Sequence, residues 1–161
     1  MEQLVLEMKM RSLLNKFALN GALLGAVILV PLLAGPTFKS FRIPTDNSDP
    51  RHIVLGPDGN MWFTESNLDV SQIGRIDPQG NITEFALALP AQPRDIVAGP
   101  DGNLWFTEYT ADRLSRLTPT GVVTEVQRVR GGPCGIATGL NNTLWLTQFD
   151  GNKIARFTVT P

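Results

Sequence analysis

Two ten-residue stretches of this chain are almost identical: Gly56-Pro57-Asp58-Gly59-Asn60-Met61-Trp62-Phe63-Thr64-Glu65 and Gly99-Pro100-Asp101-Gly102-Asn103-Leu104-Trp105-Phe106-Thr107-Glu108. A third, Gly139-Leu140-Asn141-Asn142-Thr143-Leu144-Trp145-Leu146-Thr147-Gln148, keeps the frame with changed residues. All three tryptophans hold the same place in this unit, 43 and then 40 residues apart. Repetition at about 40–50 residues restricts the fold to propeller blades or pairs of solenoid helices. Local chemistry chooses between them: short β-rich runs alternate with Gly, Pro, Asn and Asp, and no window carries a period of 3.6.

In the second unit Asp95-Ile96-Val97-Ala98 reads as a first strand and Gly99 to Asn103 as a tight turn. Proline fixes φ there, aspartate bonds the local backbone, and glycine accepts positive φ. Leu104 to Glu108 is the second strand, Arg113 to Leu117 the third, and Val122 to Val126 the fourth. The first unit follows suit with Ile73-Gly74-Arg75-Ile76 and Ile82-Thr83-Glu84-Phe85. Four antiparallel strands per 40 residues make one propeller blade, so the expected class is all-β, with three blades in this chain. The tryptophans are then wedges between blades. Blade boundaries fall at about 50–92, 93–132 and 133–158, with a strand at 37–43 expected to complete the last blade.

Composition removes some functions. With 14 Lys and Arg against 15 Asp and Glu, the net charge is -1. No field exists to draw in nucleic acid or an anionic membrane surface. Cys134 is the single cysteine, so no intrachain disulfide forms. From Phe17 to Pro36 no residue is charged, while Lys9, Arg11 and Lys16 lie just before. Residues 1–35 therefore read as a signal peptide or a membrane anchor, and residues 36–161 as an exported domain. Any membrane contact is expected through that segment alone.

The pattern Gly-Pro-Asp-Gly-x-Leu-Trp-Phe-Thr-Glu, then x-Ile-Gly-Arg-Ile, then Gly-x-Ile-Thr-Glu-Phe-x-Leu-Pro, resembles the repeats of the virginiamycin B lyase (streptogramin B lyase) family. It is read from Gly56 to Pro90 and again from Gly99 to Val126. The resemblance implies a Mg²⁺-dependent propeller that linearises a cyclic depsipeptide by elimination, with antibiotic resistance as the outcome. Such chemistry uses a base on a Cα proton and a divalent cation on the developing enolate. In the family, histidines follow the proline that opens a blade and glutamates end the Trp-bearing strand. Here Arg51, Arg94 and Cys134 follow the opening prolines. The only histidine, His52, stands one residue later and is expected on the other face of its strand.

First and second strands run antiparallel, so the start of one and the end of the other share a mouth. That mouth is expected to gather Arg51, His52 and Glu65 from the first unit, Arg94, Asp95, Glu108 and Tyr109 from the second, and Gln148 from the third. His52 is the candidate base, and Glu65 and Glu108 are the candidate Mg²⁺ ligands. Arg51 with Glu65 and Arg94 with Glu108 can equally pair within each blade, leaving a non-catalytic propeller that binds a small-molecule, cyclic-peptide or protein ligand. Three blades are fewer than a closed ring uses. A homodimer closing a six-bladed ring, an open arc and a fragment of a longer protein all fit; the homodimer, each chain donating its outer strand, is the expectation carried forward.

Overall fold

In the computed structural model the described residues are 36–160 except Leu89; the proposed leader at 1–35 lies outside them. The described residues from Ser40 onward form one compact unit. It holds eleven strands: β1 (Pro50–Leu55), β2 (Met61–Glu65), β3 (Gln72–Ile76), β4 (Ile82–Ala86), β5 (Pro93–Ala98), β6 (Leu104–Glu108), β7 (Arg113–Leu117), β8 (Val123–Arg128), β9 (Pro133–Thr138), β10 (Thr143–Gln148) and β11 (Lys153–Thr158). They make three antiparallel sheets in simple up-and-down order, β1 to β4, β5 to β8 and β9 to β11. The strands expected from the repeat are present, with ends shifted by one or two residues. β5 touches both β1 and β9, so the blades follow one another in an arc.

The repeated turn has a physical reason at each position. The N–H of Gly99 donates to the Asn103 carbonyl at 2.7 Å, and Gly102 sits at φ 73°, where a side chain would be strained. Asp101 accepts from the Asn103 amide and, through Oδ1, from the Trp105 indole at 2.9 Å. Asp58 and Trp62 repeat the 2.9 Å bond. Burial alone would raise both carboxyls, but the bonds from the indole and asparagine outweigh it and hold them below their ordinary value.

That bond aims the indole at the next blade. Trp62 is fully buried with Ile96, Leu104, Phe106 and Leu117, and Trp105 is buried with Ile136, Leu144 and Leu146. Hydroxyls stitch the same seams: Thr64 donates to the Arg94 carbonyl at 3.4 Å and Thr107 to the Cys134 carbonyl at 2.7 Å. The wedge role expected for the tryptophans holds for two of them. Trp145, in the last sheet of the described residues, is 44% exposed.

One element differs from expectation. Residues 37–43 form no strand in the single chain, and the third sheet stays at three strands. Blades one and three are the two ends of the arc, and the segment from residue 40 onward is tied to blade one. Thr45 donates both its N–H and its hydroxyl to the Glu84 carboxylate, at 3.0 and 3.1 Å, and Gln72 donates to Thr45.

Asp101→Ala leaves the enclosed indole N–H without its acceptor and is expected to cost about 1–3 kcal/mol. Asp101→Asn keeps an acceptor oxygen and costs less. Urea unfolding followed by tryptophan emission reads both, and an unchanged midpoint for Asp101→Ala would contradict the wedge-locking role.

Candidate functional site

β1, β5 and β9 enter the sheets from the same end, and each opens on a proline at the mouth: Pro50, Pro93 and Pro133. In β1 and β5 the register against the second strand slips just after that proline, between Pro50 and Ile53 and between Pro93 and Ile96. The bulge re-aims the residues in between, as bulges near binding sites do. His52 and Asp95 occupy corresponding bulge positions in neighbouring blades. The Nδ1 of His52 lies 2.6 Å from Asp95 Oδ1. Asp95 is in turn pinned from both sides, accepting from the Ile96 N–H at 2.8 Å and, through Oδ2, from the Ile136 N–H at 2.8 Å. One carboxylate therefore joins all three blades. The imidazole is 49% exposed. A carboxylate on Nδ1 fixes the tautomer whose lone pair is on Nε2.

Cationic and aromatic groups stand on the same rim. The guanidinium of Arg94 stacks 4.5 Å from the centre of the Tyr109 ring. The Tyr109 hydroxyl donates to Asp150 at 3.0 Å, and that bond is the main reason its ionisation is pushed above the usual range. Arg51 pairs with Asp49 at 2.8 Å. Gln148 turns back to the Arg130 carbonyl at 2.5 Å and takes no part in the cluster.

The two glutamates behave differently from each other. Glu108 is buried and pairs with Arg113 at 2.8 Å, with the Ser115 hydroxyl on its other oxygen. Its partner thus comes from β7; Arg94, the pairing suggested by sequence, is engaged with Tyr109. At the corresponding places blade one has Gln72 and Gly74. Glu65 is accordingly buried with no arginine or serine on its third strand to meet its carboxyl. Burial, reinforced by nearby Glu84 and opposed by Ser48, lifts its pKa to about 7.

These carboxylates do not fit the Mg²⁺ ion that the family likeness implies. They stand in separate blades, and Glu108 already has its counter-charge in Arg113. Among the described residues no three His, Cys, Asp or Glu side chains come together as a metal-holding group.

Sequence reasoning placed His52 and Asp95 in the mouth without pairing them. The signal was available: His52, Asp95 and Gly135 share one register position on successive first strands, and such positions face one another across the seam. Asp150 was missed because it lies in a loop outside the repeat.

The folded-state pKa of Glu65 stands above its unfolded value, so the folded chain holds the extra proton between about pH 4.5 and 7. Stability from this group is full below that window and falls as pH rises through it. Glu65→Gln is expected to flatten the fall, with little change at pH 5 and a gain at pH 8 on the order of 1–2 kcal/mol, after allowance for solvent close to the site. Thermal unfolding across that range is the check; parallel curves for the two proteins contradict the burial of an unpaired acid.

The chain matches the virginiamycin B lyase family over residues 32–161. Virginiamycin B lyase from Staphylococcus aureus is similar at 39% identity and a TM-score of 0.69, over 74% of this chain and 41% of that one. A streptogramin B lyase structure is similar at 30% identity and a TM-score of 0.64, over 75% of this chain and 44% of that one. A catalytically inactive histidine-to-alanine variant of the S. aureus enzyme, solved with quinupristin, is similar at 35% identity and a TM-score of 0.65, over 76% of this chain and 46% of that one. This chain thus spans less than half the length of those enzymes. No curated protein matches it. On the family match and these similarities, the chain belongs to the virginiamycin B lyase family.

Proposed function

We propose that this chain is an exported propeller component that opens a cyclic depsipeptide by elimination, with His52 as the base and Asp95 as its positioning residue. The observation that carries the reading is the 2.6 Å contact of His52 Nδ1 with Asp95 in a half-exposed imidazole. A base so held takes the proton from the carbon beside a carbonyl through Nε2. The C–O bond on the adjacent carbon then breaks, a C=C bond forms, and the ester leaves as a carboxylate. Arg51 and Arg94, each beside one member of the pair on its strand, supply positive charge for that carboxylate. Export rests on the uncharged run behind Lys9, Arg11 and Lys16.

A second reading has its own support. The positions directly after the opening prolines hold Arg51, Arg94 and Cys134, none of which abstracts a proton as readily as histidine. On that reading the rim binds a cyclic peptide and releases it unchanged.

Incubating the full chain with quinupristin, with and without Mg²⁺, and following the linear product by mass spectrometry separates the two. Turnover is expected, and His52→Ala is expected to lower it by about 10²–10⁴-fold, the range for loss of a positioned general base. Asp95→Asn should lower the rate and shift its pH profile while binding persists. Binding without product selects the second reading, and neither binding nor product overturns both.

A further inference from the structure

Arg94 is a partly buried cation with no counter-charge among the described residues. Arg51, at the same place on β1, rests on Asp49, and Arg113 lies between Glu108 and Glu125. Arg128, Arg130 and Arg156 also lack a carboxylate, but they stand exposed, where water solvates them. The acids of the same mouth are engaged elsewhere: Asp95 with His52, Glu108 with Arg113, and Asp150 with Tyr109. Withdrawing a charge from water without pairing it is costly, so such a cation favours an anion brought by a ligand.

The guanidinium is held in place while its donors stay open. The Tyr109 ring covers one face at 4.5 Å. That ring is itself fixed, because its hydroxyl donates to Asp150. Gly132 lets the two close in: a Cβ there would lie 2.6 Å from the Tyr109 ring and 2.5 Å from Asp150 Oδ2. Stacking occupies the flat face of a guanidinium and leaves its edge, where the N–H groups lie. On that edge Nη2 donates to Gln92 Oε1 at 3.4 Å, longer than a firm N–H···O bond. The same oxygen already accepts from the Thr110 hydroxyl at 3.0 Å. Nε is buried without a partner, and Nη1 bonds to nothing among the described residues. Two parallel N–H groups on one edge match the two oxygens of a carboxylate.

We propose that Arg94 is a carboxylate-binding residue, with Tyr109 as its positioning residue, and that its ligand is the free carboxylate of an opened, linear depsipeptide. The cyclic form carries an ester in that place, which offers no charge to the guanidinium fork. The site therefore holds the opened peptide in preference to the closed one. Asp95 follows Arg94 on β5, which puts the fork one residue from the carboxylate that grips the His52 imidazole. Only the origin of the ligand carboxylate rests on the elimination reading above; a peptide opened by other means presents the same group.

Quinupristin opened at its ester with hydroxide gives a linear acid, and opened with ammonia gives the matching neutral amide. Isothermal titration calorimetry of the full chain in mild detergent with each of them tests the proposal. The acid is expected to bind about 10–100-fold more tightly than the amide, the range for charge-assisted hydrogen bonds. In His52→Ala, where ring opening is blocked, the acid should also bind more tightly than intact quinupristin. Arg94→Gln should abolish the preference for acid over amide, and Arg94→Lys should restore part of it. Tyr109→Leu should reduce that preference, while Tyr109→Phe, which keeps the ring, retains most of it. Acid and amide are compared on the same protein, so the amide reports whether each variant still folds and binds. Equal binding of acid and amide, or a preference that survives Arg94→Gln, overturns the proposal. So does an acid that binds no better than the cyclic form, or one displaced by inorganic phosphate, which would mark an unselective anion site. Failure of the elimination reading is a separate result: quinupristin then stays cyclic in the wild type, while the acid still binds through Arg94.

Discussion

The bond from the tryptophan indole to the turn aspartate holds this structure in order. Asp58 and Asp101 each close a turn through an asparagine and fix an indole through Oδ1, so one carboxylate sets both the strand reversal and the aim of the largest side chain. Sheets have little of their own to hold them face to face; two large apolar wedges do so here, and burial of such rings contributes more than any other contact at the seam. Loss of the aspartate in the third unit, where Asn141 takes its place, coincides with the one tryptophan that is exposed among the described residues.

From that wedge the gradient of burial along the arc follows. Corresponding positions pass from buried inside the two seams to exposed at the two ends, although their residue types hardly change. Exposure here reports position in the arc and not chemical character. Exposed large apolar residues at both ends, on faces of opposite kind, are what a repeat fold presents wherever stacking stops.

The repeat made the fold legible because its turns are chemically explicit: proline, aspartate, glycine and asparagine fix each reversal, and the strands are what remains between them. Sheet order and the wedge role of Trp62 and Trp105 follow directly. Side-chain pairing was less legible. Strand alternation alone cannot foresee the bulges after Pro50 and Pro93, and those bulges bring His52 onto Asp95. The glutamates shared a sequence position but not a fate, since Glu108 meets Arg113 and Ser115 while Glu65 faces Gln72 and Gly74. The difference lies on the third strand, one hairpin away in sequence, where a pattern centred on the tryptophan does not look. Residues 37–43 resemble β4 in sequence, yet they form no strand, and the chain that follows is held to β4 through side chains, Thr45 on Glu84.

The mouth shows how a repeat can acquire chemistry without disturbing its scaffold. The Thr-to-carbonyl bonds and the wedges are nearly invariant between seams, so they leave little room for change. The bulge position is different: it bears histidine, aspartate and glycine in successive blades. Beside Gly135 the Asp95 Oδ2 stands 3.8 Å from where a Cβ would lie, an ordinary contact distance. Aspartate can then bond the backbone of the blade ahead while gripping the imidazole of the blade behind. Three different residues at one repeated position thus build an oriented imidazole that no single blade could hold. Variation confined to that position changes what the rim can do and leaves the seams intact.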